Sequence, residues 1–348
     1  MHHDWVLAGL NLSVAAICGL IGGAATLAAT PFLIRHLTAH GILDVPGPRS
    51  NHVAPVPRGG GLAIVGPLAL VWLGLNVHLP VPAFMWIVLS GVVMLTAISW
   101  LDDRHPQPVV LRLLAQALAV ALPLLLLPSS MRLAPDLFPM TLERLLLALA
   151  WVWFINVVNF MDGLDGLATG QVATASVAVA AIAIAFPALA YPGYATAIAV
   201  ALAASALAFL PFNWPPARVF LGDSGSVPLG YVTGFLLLML ALAGAPLAAL
   251  ILPTYFIADA TGTLVHRLLK GERITEAHST HLYQRARRAG KSHTWVATRV
   301  LVANILLAVS AFFAVTSPLT ATVCALFVLG TIGLSLAAAA RRNRPTEA

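Results

Sequence analysis

Apolar residues run through this chain in long blocks separated by short polar segments. Eleven such blocks lie near residues 5–34, 60–78, 83–101, 109–127, 142–159, 170–187, 191–211, 227–242, 244–268, 294–315 and 319–340. Crossing the hydrocarbon of a bilayer takes about 20 predominantly apolar residues in a helix. Within lipid, only helices or closed barrels satisfy every backbone polar group. The pattern therefore predicts an all-α polytopic membrane protein with about eleven transmembrane helices. No internal repeat is visible, which argues against an inverted-repeat transporter. Residues 1–348 read as a single integral-membrane domain, with the polar motifs in a core at 40–290 and a short tail at 341–348.

Composition and charge add direction to this picture. Hydrophobic residues make up 59% of the chain and charged residues 9%, with a mean hydropathy of +0.90. A soluble globular domain carries about 25% charged residues. Numbering the blocks assigns the connecting segments alternately to two faces. Of the 19 Lys and Arg residues, Arg132 and Arg144 fall on the face shared with the N-terminus, and the others fall on the face shared with the C-terminus. Cytoplasmic loops carry the excess of Lys and Arg, so the N-terminus is expected in the periplasm and the C-terminus in the cytoplasm. The same basic loops account for the net charge of +6 without a nucleic-acid partner. Cys18 and Cys324 both fall in apolar blocks and no C-x-x-C occurs, so neither a disulfide framework nor a zinc site is supported. The opening Met1-His-His-Asp4 lacks a basic region, and the first block reads as a retained helix rather than a signal peptide.

The candidate chemistry sits between the blocks, all of it on the expected cytoplasmic face. The third cytoplasmic segment holds Asn156, Asn159, Asp162 and Asp165 at successive three-residue steps, with Gly163 and Gly166 between the carboxylates. If the helix persists, each side chain neighbours the next. Four oxygen-bearing side chains at the end of an apolar helix suit a hard cation such as Mg²⁺ shared with phosphates. A polar cap where the chain leaves the membrane explains one such residue but not two pairs. The first segment carries Asp44, Arg49, His52 and Arg58, then glycines at 59–61 whose N–H groups suggest an anion nest opening a helix. The second opens on Asp102 and Asp103. Adjacent carboxylates raise one pKa towards that of a general base, or else mark a charged helix end paired to Arg104. The fourth holds Asp223 between glycines with Ser224 and Ser226 nearby, an oxygen-donor site or an Asx turn. The fifth is the most basic: His266, Arg267, Lys270, Arg273, His278, His281 and Arg285 follow Asp259. Phosphate contact is the favoured reading of that cluster, against a patch for anionic lipid headgroups. Asp259, deep in its block, marks function or a buried pair.

Individually ambiguous, these signals combine into one site on one face, which suits a water-soluble phosphorylated donor and a lipid acceptor. The series Pro57-Arg58-Gly-Gly-Gly, Asp102-Asp103, Asn159-Phe-Met-Asp162-Gly-Leu-Asp165-Gly-Leu, Phe220-Leu-Gly-Asp223-Ser-Gly-Ser and His278-x-x-His281 resembles the polyprenyl-phosphate N-acetylhexosamine-1-phosphate transferases. Within that family it is closer to enzymes initiating O-antigen or related cell-envelope glycans than to phospho-N-acetylmuramoyl-pentapeptide transferase, whose three consecutive histidines are missing. The resemblance implies transfer of a sugar 1-phosphate from a UDP-sugar to undecaprenyl phosphate at the bacterial inner membrane, with release of UMP. It further implies Mg²⁺, or Mn²⁺ in its place, held by Asp223 with Asn159. Asp102 or Asp103 would take a proton from the lipid phosphate or hold it for attack, and Asp162 and Asp165 would position the nucleotide or the metal. His278, His281, Arg58 and Arg285 would clamp phosphate oxygens, with Asn156 among the donor-binding groups. A homodimer is compatible with this reading. N-acetylglucosamine and a 6-deoxy-N-acetylhexosamine both fit as the donor sugar. UDP-N-acetylmuramoyl-pentapeptide as donor and an ion-coupled transporter built on Asp259, Asp162 and Asp165 stand as alternatives. The CDP-alcohol class is excluded because Asp165-Gly-Leu-Ala lacks its following Arg.

Overall fold

In a computed structural model, which describes residues 12–46, 54–78, 81–273 and 278–341, the chain is helical nearly throughout. Its helices are α1 (Leu12–Ala39), α2 (Leu62–His78), α3 (Ala83–Arg104), α4 (Val109–Leu126), α5 (Met140–Phe160), α6 (Leu167–Ala185) and α7 (Gly193–Asn213). There follow α8 (Asp223–Leu242), α9 (Pro246–Ile251), α10 (Thr254–Leu269), α11 (Leu282–Arg288), α12 (His293–Ala314) and α13 (Pro318–Arg341). Two-residue strands β1 (Leu43–Asp44) and β2 (Val56–Pro57) pair antiparallel. The all-α polytopic class holds. Ten of the eleven apolar blocks are single helices, but the block at 244–268 is two, α9 and α10. They part at Pro253, whose ring lacks the N–H that a continuous helix needs. Among the described residues, nine helices (α1, α3 to α8, α12 and α13) are long and apolar enough to cross a membrane, and α2 has a shorter apolar stretch. Arg49, His52 and the tail at 342–348 lie outside the described residues.

The bundle is organised around α8. Fully 83% of its apolar window is buried, against 22% for α13. Small side chains permit that density. Gly19, Gly22 and Gly23 of α1 lie against Val200, Ala201, Ala204 and Ser205 of α7, the close backbone approach by which helices associate in lipid. Trp151 of α5 stacks on Tyr231 of α8 at 4.8 Å between ring centroids and donates its indole N–H to the Tyr231 carbonyl at 2.9 Å. Leu125, Leu319, Phe327 and Leu334 project outward, nearly fully exposed, as lipid-facing positions require.

At one end of the bundle the segments after α1, α3, α5 and α7 meet, which is the grouping that counting blocks predicts. The glycines at 59–61 have a different role from the expected nest. Gly60 and Gly61 donate their N–H groups to the carbonyls of Phe220 and Leu221 at 2.8 and 2.9 Å, and Phe220 donates to Pro57 at 2.8 Å. These amides are spent on joining the first segment to the fourth. Gly61 lies directly against Gly225, where a Cβ on Gly225 would stand 2.7 Å from the Gly61 Cα. Backbone on backbone cannot relax as a flexible side chain can. Gly61→Ala or Gly225→Ala should therefore cost about 3 kcal/mol or more, read as a large fall in melting temperature of the detergent-solubilised protein. An unchanged melting temperature would show that the two loops are not held together in this way.

Candidate functional site

The first turn of α8 is held from another helix. Asp103, in the last turn of α3, accepts the N–H of Asp223 on Oδ1 and that of Ser224 on Oδ2, both at 2.9 Å. Free N–H groups at a helix start carry partial positive charge, and a carboxylate there satisfies both needs. The same carboxylate pairs with Nε of Arg58 at 2.8 Å, and its side chain is fully buried. Arg58 reaches on through Nη2 to Asp223 Oδ1 at 3.1 Å. Arg112 of α4 spans Asp223 Oδ2 at 3.5 Å and Asp102 Oδ2 at 2.8 Å. The result is an alternating chain, Asp103, Arg58, Asp223, Arg112, Asp102, in which each charge faces its opposite. Asp102 also accepts the Gln107 backbone N–H. Asp103 is thus an anchoring group with both oxygens engaged.

The helix does not persist through the third segment. α5 ends at Phe160, Gly166 takes φ = +76°, and Asp162 and Asp165 stand on the intervening turn. The expected stripe of four side chains is therefore broken. Asn156 turns away, donating to Gln116 Oε1 at 2.6 Å and to the Val152 carbonyl at 2.8 Å. Asn159 donates through Nδ2 to Ser226 of α8 at 2.9 Å. Asp165 accepts the Ala217 N–H at 3.1 Å and lies 3.2 Å from Nδ1 of His293. Asn213 joins the third and fourth segments: its Oδ1 accepts from Gly166 N–H and Thr169, and its Nδ2 donates to the Val219 carbonyl.

These residues enclose a cavity of about 350 Å³ whose polar wall is Asp44, Arg58, Asn159, Asp162, Asp165, Asn213, Asp223 and His293. Half-buried Asp162 differs from the others. No hydrogen bond or ion pair reaches its carboxylate among the described residues. Burial, with the charge of Asp223 beside it, holds that carboxyl well above the usual carboxylate range. Among the described residues no three His, Cys, Asp or Glu side chains converge closely enough to hold a metal ion unaided.

His278, His281 and Arg285 stand outside this cavity. His281, almost fully buried, lies 3.6 Å from Asp259 and stacks on Phe160, which does line the cavity. Asp259 accepts the N–H groups of Leu282 and Tyr283 and the hydroxyl of Tyr255, so its role deep in the block is to cap α11. Tyr283 in turn donates to the Phe160 carbonyl at 3.1 Å. Burial and the neighbouring His281 push the His278 imidazole down to about 4. Arg285 opens onto a second cavity, away from Arg58, so the expected four-residue clamp is not assembled. Sequence reasoning missed Arg112, Asn213 and His293 as site residues, and it read Ser226 only as a hydroxyl beside Asp223. Each is an ordinary helix residue whose relevance comes from a partner more than 40 positions away.

Residues 85–241 match the family described as "Glycosyl transferase family 4". The chain is 27% identical over 335 residues to the Bacillus subtilis (strain 168) protein named "Probable undecaprenyl-phosphate N-acetylglucosaminyl 1-phosphate transferase", covering 92% of this chain and 89% of that protein. It is 29% identical over 349 residues to the Mycobacterium leprae (strain TN) "Decaprenyl-phosphate N-acetylglucosaminephosphotransferase", covering 88% and 84% respectively. A shorter stretch of 95 residues is 42% identical to the Moorella thermoacetica "Phospho-N-acetylmuramoyl-pentapeptide-transferase", 27% of this chain and 29% of that protein. Through residues 85–241 the chain carries a glycosyl transferase family 4 domain.

Proposed function

We propose that the protein transfers an N-acetylhexosamine 1-phosphate from a UDP-sugar to undecaprenyl phosphate. In that reaction an oxygen of the acceptor phosphate forms a bond to the sugar-bearing phosphorus of the donor. The bond from this phosphorus to the bridging oxygen breaks, and UMP leaves with the electron pair. The observation that carries the reading is the acidic cavity at the end of an apolar bundle, lined by Asp162 and by the ion-paired Arg58 and Asp223. The relatives named for N-acetylglucosamine transfer to undecaprenyl or decaprenyl phosphate, aligned over most of both chains, support it. The excess of Lys and Arg in the connections on that face supports a cytoplasmic orientation at a bacterial inner membrane, where UDP-sugars are available.

Asp223 and the Asn159 amide oxygen would hold Mg²⁺, which takes oxygen donors and commonly shares them with phosphates. Once bound, such an ion neutralises charge developing on the leaving phosphate. Arg58 binds a phosphate oxygen of the donor while Asp103 holds its guanidinium in place. Asp162, whose oxygens meet no partner among the described residues, accepts the proton of the acceptor phosphate. Asp165, steadied by His293 and the Ala217 amide, orients the nucleotide together with Asn213. His281 and His278 support the cavity wall through Phe160.

UMP release in membranes supplied with undecaprenyl phosphate and a panel of UDP-sugars tests the reading. UDP-N-acetylglucosamine should support turnover and chelation of divalent cations should stop it. Silence with every donor would overturn the assignment, and turnover with the muramoyl-pentapeptide donor alone would move the protein to that substrate. Asp223→Asn and Asp162→Asn should each lower kcat by about two to three orders of magnitude with the melting temperature preserved. Asp103→Ala should instead lower stability by on the order of 3 kcal/mol along with activity. A fully stable but inactive Asp103→Ala protein would return that residue to a direct chemical role.

A further inference from the structure

A cavity of about 650 Å³ between α10 and α11 shares no lining residue with the site described above. Its wall is basic: His266, Arg267, Lys270, Arg285 and Arg288 face it, with Asp259 and Glu272 as its carboxylates. Both carboxylates are already engaged. Asp259 caps α11, and Glu272 pairs with buried Arg267 at 3.3 Å while Arg267 also donates to the Arg273 carbonyl. Lys270, Arg285 and Arg288 are exposed, and among the described residues no carboxylate pairs with them. Beside this basic wall α10 projects Val265, Leu268 and Leu269 outward, the last 82% exposed. Outward apolar side chains next to basic ones occur where acyl chains meet headgroups, and clustered Lys and Arg at that depth attract anionic lipids.

We propose that this cavity binds the phosphate headgroup of an anionic phospholipid whose acyl chains lie along Val265, Leu268 and Leu269. It is a site separate from that of the transfer reaction. Cavity size, charge and the apolar flank carry the proposal, and it does not depend on the reaction proposed above.

Native mass spectrometry of the full chain released from detergent, with phosphatidylglycerol or phosphatidylcholine added, tests it. The wild type should retain phosphatidylglycerol in preference to phosphatidylcholine. Lys270→Gln combined with Arg288→Gln should weaken phosphatidylglycerol binding roughly thirty-fold and leave phosphatidylcholine unchanged. The charge-conserving pair Lys270→Arg and Arg288→Lys should keep the preference, which separates lost charge from lost fold. Equal retention of the two lipids by the wild type, or an undiminished preference in the Gln pair, overturns the proposal. Glycerol 3-phosphate displacing the lipid as readily as a short-chain phosphatidylglycerol does would make the cavity a soluble-anion site. Undecaprenyl phosphate displacing the phospholipid, with UMP release lost in the Gln pair, would assign the cavity to the acceptor and also overturn a separate site.

Discussion

Everything at the polar end of this bundle depends on one buried carboxylate, that of Asp103. It accepts two backbone N–H groups at the start of α8 and one guanidinium nitrogen of Arg58, and it has no exposure to solvent. Moving an ion out of water costs several kcal/mol unless partners replace its hydration, so the group is stable there only while all three donors stay in place. That requirement couples α3, α8 and the β2 connection into one unit. The alternating sequence of charges continues outward from Asp103 through Asp223 and Arg112 to Asp102, with the two arginines partly exposed.

The hydrocarbon-facing part of the molecule serves this arrangement by keeping its helices close. Glycine and alanine on α1 and α7, and the seating of Tyr231 under Trp151, let α8 pass through the middle of the bundle with most of its surface covered. A helix so enclosed delivers Asp223 at its first residue to a defined point. Packing small residues against backbone replaces the hydrophobic drive that lipid does not supply. The contact between Gly61 and Gly225 extends the same principle into the loops, where hydrogen bonds from Gly60 and Gly61 complete the join.

A second carboxylate repeats the device. Asp259 caps α11 as Asp103 caps α8, and through Tyr283 it ties the histidine segment to the last carbonyl of α5. His281 is thereby stacked behind Phe160 rather than facing the cavity. Both capped helix starts thus contact the α5 terminus, beyond which the Asp162 carboxylate meets no partner among the described residues. A carboxylate in that position, near other negative charge and poorly hydrated, is the group most ready to take a proton or a cation.

Hydrophobic pattern and charge distribution alone determined the helical class, ten of the eleven apolar segments as single helices, and the grouping of four polar connections at one end. Those properties follow from length and local composition, which a bilayer reads segment by segment. The motifs around Asp162 and Asp223 were legible for the same reason: carboxylates and glycines stand out against an apolar chain. Local composition could not show where the helix stops, and the stripe expected over Asn156 to Asp165 fails at Phe160. It could not show that the amides of Gly60 and Gly61 are consumed by Phe220 and Leu221, or that Asp259 is a cap. Nor could it separate Arg285 from Arg58, or bring Arg112 and His293 to the carboxylates they meet. Only the tertiary structure decided which charges pair, because a hydrogen bond depends on distance and direction in space, and residues more than a hundred positions apart become neighbours only when the helices pack.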